Sequence, residues 1–192
     1  MSDIPTFKIA LVGDGGVGKT ALTRRLTTGE WRSFYVSTLG VEKRTLTIYT
    51  NRGPIRFDLW DHAGVEKFGG HRSDFYKSSD GAIVLFSLDS VPSYQTVPYW
   101  TGLVMEACEG IPVAICGNKM DAPNLTVDVG RIEVHRDLNR EFGILTTYCS
   151  ISAKTFQSIR EPFLWLARQF LNDEDLAFAE SPSPEVSGLL DA

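Results

Sequence analysis

The sequence predicts a single α/β domain with a six-stranded, mainly parallel sheet and helices on both faces. Three observations carry this. Short apolar runs alternate with segments of helical period, which is the pattern of a βαβ series. One pair of runs is separated by only a Gly-containing turn, which makes one antiparallel hairpin. A Gly-rich loop follows the first run and precedes the first helical segment, where an α/β sheet places a phosphate site. At 192 residues the chain is one domain with a short tail.

The elements follow in order. Phe7 to Val12 is apolar and stops at Gly13, as a buried strand does. Gly18 to Leu26 reads as a helix. Val41 to Thr50 and Pro54 to Trp60 flank Asn51-Arg52-Gly53 and form the hairpin. Ala82 to Leu88 and Pro112 to Cys116 are further buried strands, with a helix from Val97 to Cys108 between them. Arg131 to Phe142 is a helix stopped by Gly143. Leu145 to Ile151 is the last strand, and Glu161 to Leu171 the last helix, with Pro162 tolerated in its first turn. The folded domain is expected to occupy residues 1–172. Residues 173–192 turn acidic and Pro/Ser-rich and are expected to form a disordered tail.

Charge and cysteine usage exclude several classes. The net charge is −5, but residues 173–192 hold six acidic side chains and no Lys or Arg. The remainder is near neutral, so general nucleic-acid binding is not expected. No apolar run approaches the ~18 residues of a membrane span. The opening Met1-Ser2-Asp3-Ile4-Pro5 is neither a signal peptide nor a myristoylation site. Cys108, Cys116 and Cys149 form no disulfide framework and have no zinc spacing. Cys116 and Cys149 sit in strand-like apolar runs and read as core. No cysteine follows Cys149, so a C-terminal lipid anchor is not expected.

Gly13-Asp14-Gly15-Gly16-Val17-Gly18-Lys19-Thr20 matches the phosphate-loop pattern, and it sits between a strand and a helix as that pattern requires. Glycines let backbone N–H groups converge on phosphate, and the helix N-terminus favours an anion. Lys19 supplies a point charge at the β- and γ-phosphates, and the Thr20 hydroxyl ligates Mg²⁺. Ala21, the next residue, completes the candidate nucleotide-contacting run. Asp61, after the second hairpin strand, is a candidate to hold Mg²⁺ through water, and Gly64 can offer an N–H to a γ-phosphate.

Asn118-Lys119-Met120-Asp121 follows a buried strand. A carboxylate accepts two N–H bonds from guanine, and adenine has no such donor pair, so Asp121 selects guanine. Lys119 can pack along the base and Asn118 can tie loops together. Ser152-Ala153-Lys154 follows the last strand, where a backbone N–H can read the guanine oxygen. This combination specifies a guanine-nucleotide P-loop fold.

With these motifs, the chain resembles the small GTPases of the Ras superfamily, specifically the Ran type, over about residues 6–180. Beyond the nucleotide motifs, the resemblance rests on Thr38-Leu39-Gly40-Val41-Glu42, Thr50 to Ile55, Glu66 to Gly70, Cys116 to Lys119 and Pro162 to Arg168. It implies a G domain that binds GTP or GDP with Mg²⁺ and switches between two states. It implies that Thr38 ligates Mg²⁺ in the GTP state, and that Trp31 stands against the guanine. Lys67 and Phe68 correspond to the residues that meet the nuclear import carrier of the GDP form; for Phe68, ordinary hydrophobic cover is the competing reading. Implied partners are importin-β-type transport receptors, a guanine-nucleotide exchange factor and that import carrier. A monomer in nucleus and cytoplasm is expected.

Three departures bear on mechanism. The family has Gln at the position of Val65, within Asp61-His62-Ala63-Gly64-Val65. That Gln orients the attacking water, and valine has no group to do so. With Lys19 and Thr38 in place, hydrolysis is still expected to be impaired. His62 is a candidate substitute, although its place beside Asp61 points it away from the phosphates. The chain stops about 20 residues after the last helix, without the acidic C-terminal segment of the Ran type, which is expected to favour the GTP-like state. Arg136-Asp137-Leu138-Asn139-Arg140 dilutes a basic patch of that family. A GTP-held binding module that sequesters transport receptors, and a Rab-like trafficking GTPase, are the alternatives.

Overall fold

A computed structural model describes residues 3–33, 41–62 and 76–180. Six strands form one sheet: β1 (Thr6–Val12), β2 (Val41–Thr50), β3 (Gly53–His62), β4 (Gly81–Ser87), β5 (Val113–Asn118) and β6 (Thr146–Ser150). The order is β2-β3-β1-β4-β5-β6, and only β2 and β3 pair antiparallel. The helices are α1 (Lys19–Thr28), α2 (Val91–Gln95), α3 (Val97–Ala107), α4 (Val134–Phe142) and α5 (Glu161–Leu171).

Each face of the sheet buries its own core, because strand side chains alternate. On β1, Ile9 and Leu11 join Leu22 of α1 and Phe163 and Leu166 of α5. Ala10 and Val12 face the other way, toward Val97, Trp100 and Val104 of α3 and Leu138 of α4. The interior strands β4 and β5 are buried at every position, as expected of strands covered on both faces. Each large apolar side chain so buried contributes roughly 1.5–3 kcal/mol relative to exposure.

Two expectations are corrected. The helix expected from Arg131 begins at Val134. Before it, Val129–Arg131 forms a 3-10 turn whose Asp128 side chain accepts from the Gly130 N–H, and Ile132 is extended. The second correction concerns the boundary at residue 172. Residues 173–180 are packed against the body of the domain. Leu176 is fully buried in the α1/α5-side core. Phe178 forms an antiparallel bridge with Thr50, and the Ala179 N–H donates to the Tyr49 carbonyl at 2.9 Å. Asn51, at the hairpin tip, donates to the Asp175 carbonyl and accepts from the Ala177 N–H, both at 3.0 Å. Arg52 pairs with Asp173 at 2.9 Å. The acidic composition suggested solvation, but the apolar side chains of Leu176 and Phe178 and backbone pairing with the edge strand β2 hold this strap in place. Residues 181–192 lie outside the described residues.

Candidate functional site

Because β1, β3, β4, β5 and β6 run parallel, their carboxyl ends lie on one edge of the sheet. The candidate motifs all leave from that edge. Gly13 follows β1, Asp61 is the penultimate residue of β3, Asn118 ends β5, and Ser152 follows β6 after Ile151.

The loop from 13 to 18 is shaped by two close approaches. Gly13 has φ +138, and a Cβ there would lie 2.1 Å from the Leu85 carbonyl oxygen. Gly18 has φ +102, and its Cβ would lie 2.3 Å from Nδ2 of Asn118. Only glycine accommodates either backbone without displacement. Val17 is buried, and its carbonyl accepts from Asn118 Nδ2 at 2.9 Å. Gly15 and Gly16 complete the loop. Helix α1 then starts with no side-chain cap and no acidic residue in its first turn. Its leading N–H groups therefore suit an anion. Ala21 packs partly buried against the core beneath it.

Lys19 is 6% exposed, and its ammonium donates to the carbonyls of Gly13 (2.6 Å) and Asp14 (2.8 Å). Burial lowers its pKa to about 8, opposed by the charges of Asp61 and Asp14. An anion in the loop would raise that pKa again by favouring the charged form. Both carboxylate oxygens of Asp14 are bound, one by Trp100 Nε1 at 2.8 Å and the other by Thr96 Oγ1 at 3.0 Å. Asp14 thereby ties the loop to the start of α3.

Asp61 is completely buried. Its Oδ2 accepts from the Thr20 hydroxyl at 2.5 Å, while its Oδ1 has no partner among the described residues. Burial raises its pKa, against the Thr20 hydrogen bond and the charge of Lys19. A buried carboxylate with one orphaned oxygen beside a hydroxyl fits a hydrated divalent cation, which would supply the missing partner. Thr20 and Asp61 are thus the described residues that could hold Mg²⁺. Thr38, Gly64, Val65, Lys67 and Phe68 lie outside the described residues, as does the side chain of His62.

The base-recognition motifs meet through side chains. Asn118 is buried and bridges three loops, since its Oδ1 also accepts from the Ala153 N–H at 3.1 Å. Asp121 accepts from the Ser152 hydroxyl at 2.6 Å, and Lys154 lies 3.6 Å from its other oxygen. This holds a carboxylate beside the backbone of Ala153, a geometry that can meet a guanine edge. Lys119, with φ +64, extends its ammonium to 3.4 Å from both oxygens of Asp89. Asp89 also accepts a short bond from the Ser87 hydroxyl. Trp31 lies two residues past Gly29, the α1 C-cap, and is 40% exposed.

A family model described as the Ras family matches residues 8–172. The chain belongs to the Ras family. Its match begins within β1, covers every later strand and helix described above, and ends one residue past α5. Ras-family domains are GTPases that act as GTP-dependent switches, bind GTP or GDP and generally use Mg²⁺. The Ras-family fold places the nucleotide motifs of this chain on the sheet edge where they are observed.

Sequence reasoning missed four supporting residues. Asp89 and Ser87 orient Lys119, and Thr96 and Trp100 hold Asp14. Lys119 is 30 residues from Asp89, and Asp14 is 82 and 86 residues from Thr96 and Trp100, beyond any local pattern. The one available signal was Asp89 directly after a buried strand, the same position type as Asp61.

Proposed function

We propose that this Ras-family protein is a Ran-like guanine-nucleotide switch in nucleocytoplasmic transport whose hydrolysis step is impaired. The observation that carries guanine binding is the Asp121 carboxylate held between Ser152 and Lys154, beside the Ala153 N–H. Gly13 to Thr20 wrap the phosphates, with Lys19 exchanging its two loop carbonyls for phosphate oxygens. Asp121 accepts from the guanine donors, Lys119 lies along the base, and Trp31 covers it. Thr20 and Thr38 hold Mg²⁺ directly and Asp61 holds it through water. Bound Mg²⁺ would neutralise charge developing on the phosphates. Gly64 contacts the γ-phosphate and so reports which nucleotide is present.

Val65 carries the hydrolysis proposal. It stands where the family places the water-orienting Gln, and loss of one such polar group costs roughly 10²–10³ in rate. The protein would then accumulate in the GTP form and engage importin-β-type receptors in nucleus and cytoplasm. Its further partners would be an exchange factor and an import carrier that recognises Lys67 and Phe68 in the GDP form. The same Val65 favours a second reading, a receptor ligand held permanently in the GTP form.

Acid release and chromatography of the copurifying nucleotide tests this directly. Mostly GTP is expected, and mostly GDP would return the protein to the ordinary cycling class. In a single-turnover assay, Val65→Gln should raise hydrolysis by about 10²-fold. An unchanged rate would show that Val65 is not the local defect.

A further inference from the structure

Cys116 of β5 and Cys149 of β6 are direct register partners on adjacent parallel strands. Both belong to the same core cluster, so their side chains leave the same face of the sheet. Adjacent strands lie about 4.8 Å apart, inside the Cα separation that a disulfide spans. Both thiols are free, and the strand register sets them opposite each other. Cys116 is fully buried, whereas Cys149, on the edge strand, is partly exposed. Cys108 is remote from this pair and donates to the Tyr76 carbonyl at 3.0 Å.

We propose that Cys116 and Cys149 form a redox site whose cross-link, made by hydroperoxide, clamps the two strands that carry the guanine loops. The accessible Cys149 is the attacking sulfur. Hydrogen bonding from Cys116 lowers its pKa, while burial raises that of Cys116. The Cys149 thiolate attacks one peroxide oxygen, the O–O bond breaks, and the departing hydroxide takes up a proton to leave as water. Cys149 is now a sulfenic acid. The Cys116 sulfur attacks it, the S–O bond breaks, and the Cys116 proton leaves with the hydroxide as a second water. Two thiols have lost two electrons, and one peroxide has accepted them.

The position of the pair gives the bond a consequence, which rests on the guanine-binding reading above. Cys116 is two residues before Asn118, and Cys149 is three before Ser152. Beyond that root the loops are joined by non-covalent contacts: the Lys154–Asp121 ion pair and three hydrogen bonds. Met120 N–H donates to Ile151, Ala153 N–H to Asn118, and the Ser152 hydroxyl to Asp121. Base release requires these loops to part. A covalent tie at their root opposes that motion, so the oxidised protein should release nucleotide more slowly.

The test uses the full chain with GDP bound. After hydrogen peroxide and then iodoacetamide in denaturant, one alkyl group rather than three is expected, with a mass loss of about 2 Da before alkylation. A non-reducing peptide map should show the Cys116–Cys149 link, and dithiothreitol should reverse it. Cys149→Ser should lose the link entirely. Cys116→Ala should instead leave a sulfenic acid at position 149 that dimedone captures. Three alkyl groups after peroxide, or a link that includes Cys108, would overturn the site. Release of a fluorescent GDP analogue should slow at least about fivefold on oxidation, recover with dithiothreitol, and not respond in Cys149→Ser. Equal or faster release from the linked protein would overturn the clamp. Failure to bind any guanine nucleotide would instead count against the functional reading, because the mass and peptide readouts need no nucleotide.

Discussion

In the proposed function, a single carboxylate at position 121 separates guanine from adenine. Its value depends on accepting two N–H bonds at once, so replacing one oxygen by an amide turns an attraction into a clash of donors. Asp121→Asn should weaken GDP binding by about 10²–10⁴, read by fluorescence titration, and should improve binding of the xanthine analogue. Lys19 gives a second prediction. Its pKa falls from 10.5 to about 8 on folding. Between those values the unfolded chain binds more protons than the folded one, so stability rises with pH across that window. Urea unfolding of nucleotide-free, Mg²⁺-free protein at about pH 7.5 and pH 9.5 should show the gain, and Lys19→Met should remove it. The identities of these two residues were legible in sequence from motif and spacing. Their supports were not. Ser152 and Lys154 at Asp121 follow from the motifs only once β5 and β6 are neighbours.

Among the elements, the strap at 173–180 gives the clearest lesson. Composition assigned it to solvent, because Asp173, Glu174 and Asp175 precede its one buried residue, Leu176. Leu176 and Phe178 alternate over only three residues, too short a run to register as a strand or helix period. Leu176→Ala should destabilise the domain by about 2–4 kcal/mol in urea unfolding, as for other buried leucines. Asn51→Ala removes two hydrogen bonds to the strap and should cost about 1–3 kcal/mol in the same measurement. The Arg52–Asp173 pair is exposed, and its loss should change little. The regular elements were easier to read. Helix α5 begins and ends at the residues its pattern and Pro162 predict, since an apolar stripe and a tolerated first-turn proline are local signals. The start of α4 was misplaced, because an Asp128-capped turn and an extended Ile132 interrupt a periodic stretch.

For the whole molecule, the site couples the Gly-rich loop, β3 and both base loops, so ligand should stabilise the fold as one unit. GDP at about a thousand times its dissociation constant adds about 4 kcal/mol, or roughly 8–16 °C in Tm for a domain of this size. A thermal shift of that order with GDP and Mg²⁺, and none with ADP at the same concentration, is expected. Equal shifts for both would contradict guanine selection by Asp121. What the sequence carried by itself is the set of motifs on which the proposed chemistry rests: the Gly-rich loop with Lys19 and Thr20, the strand-ending acid Asp61, and the stretches at Asn118 and Ser152, each made of a few contiguous residues. It also determined the α/β layering, because strand and helix periods are local. Only the tertiary structure decided which groups meet across 30 to 126 residues of chain: Asp14 with Trp100, Lys119 with Asp89, and Asn51 with Ala177. The register of β5 against β6 likewise set Cys116 opposite Cys149. Such pairings are products of sheet order and register, which depend on how all the layers pack at once, and no local stretch of sequence encodes them.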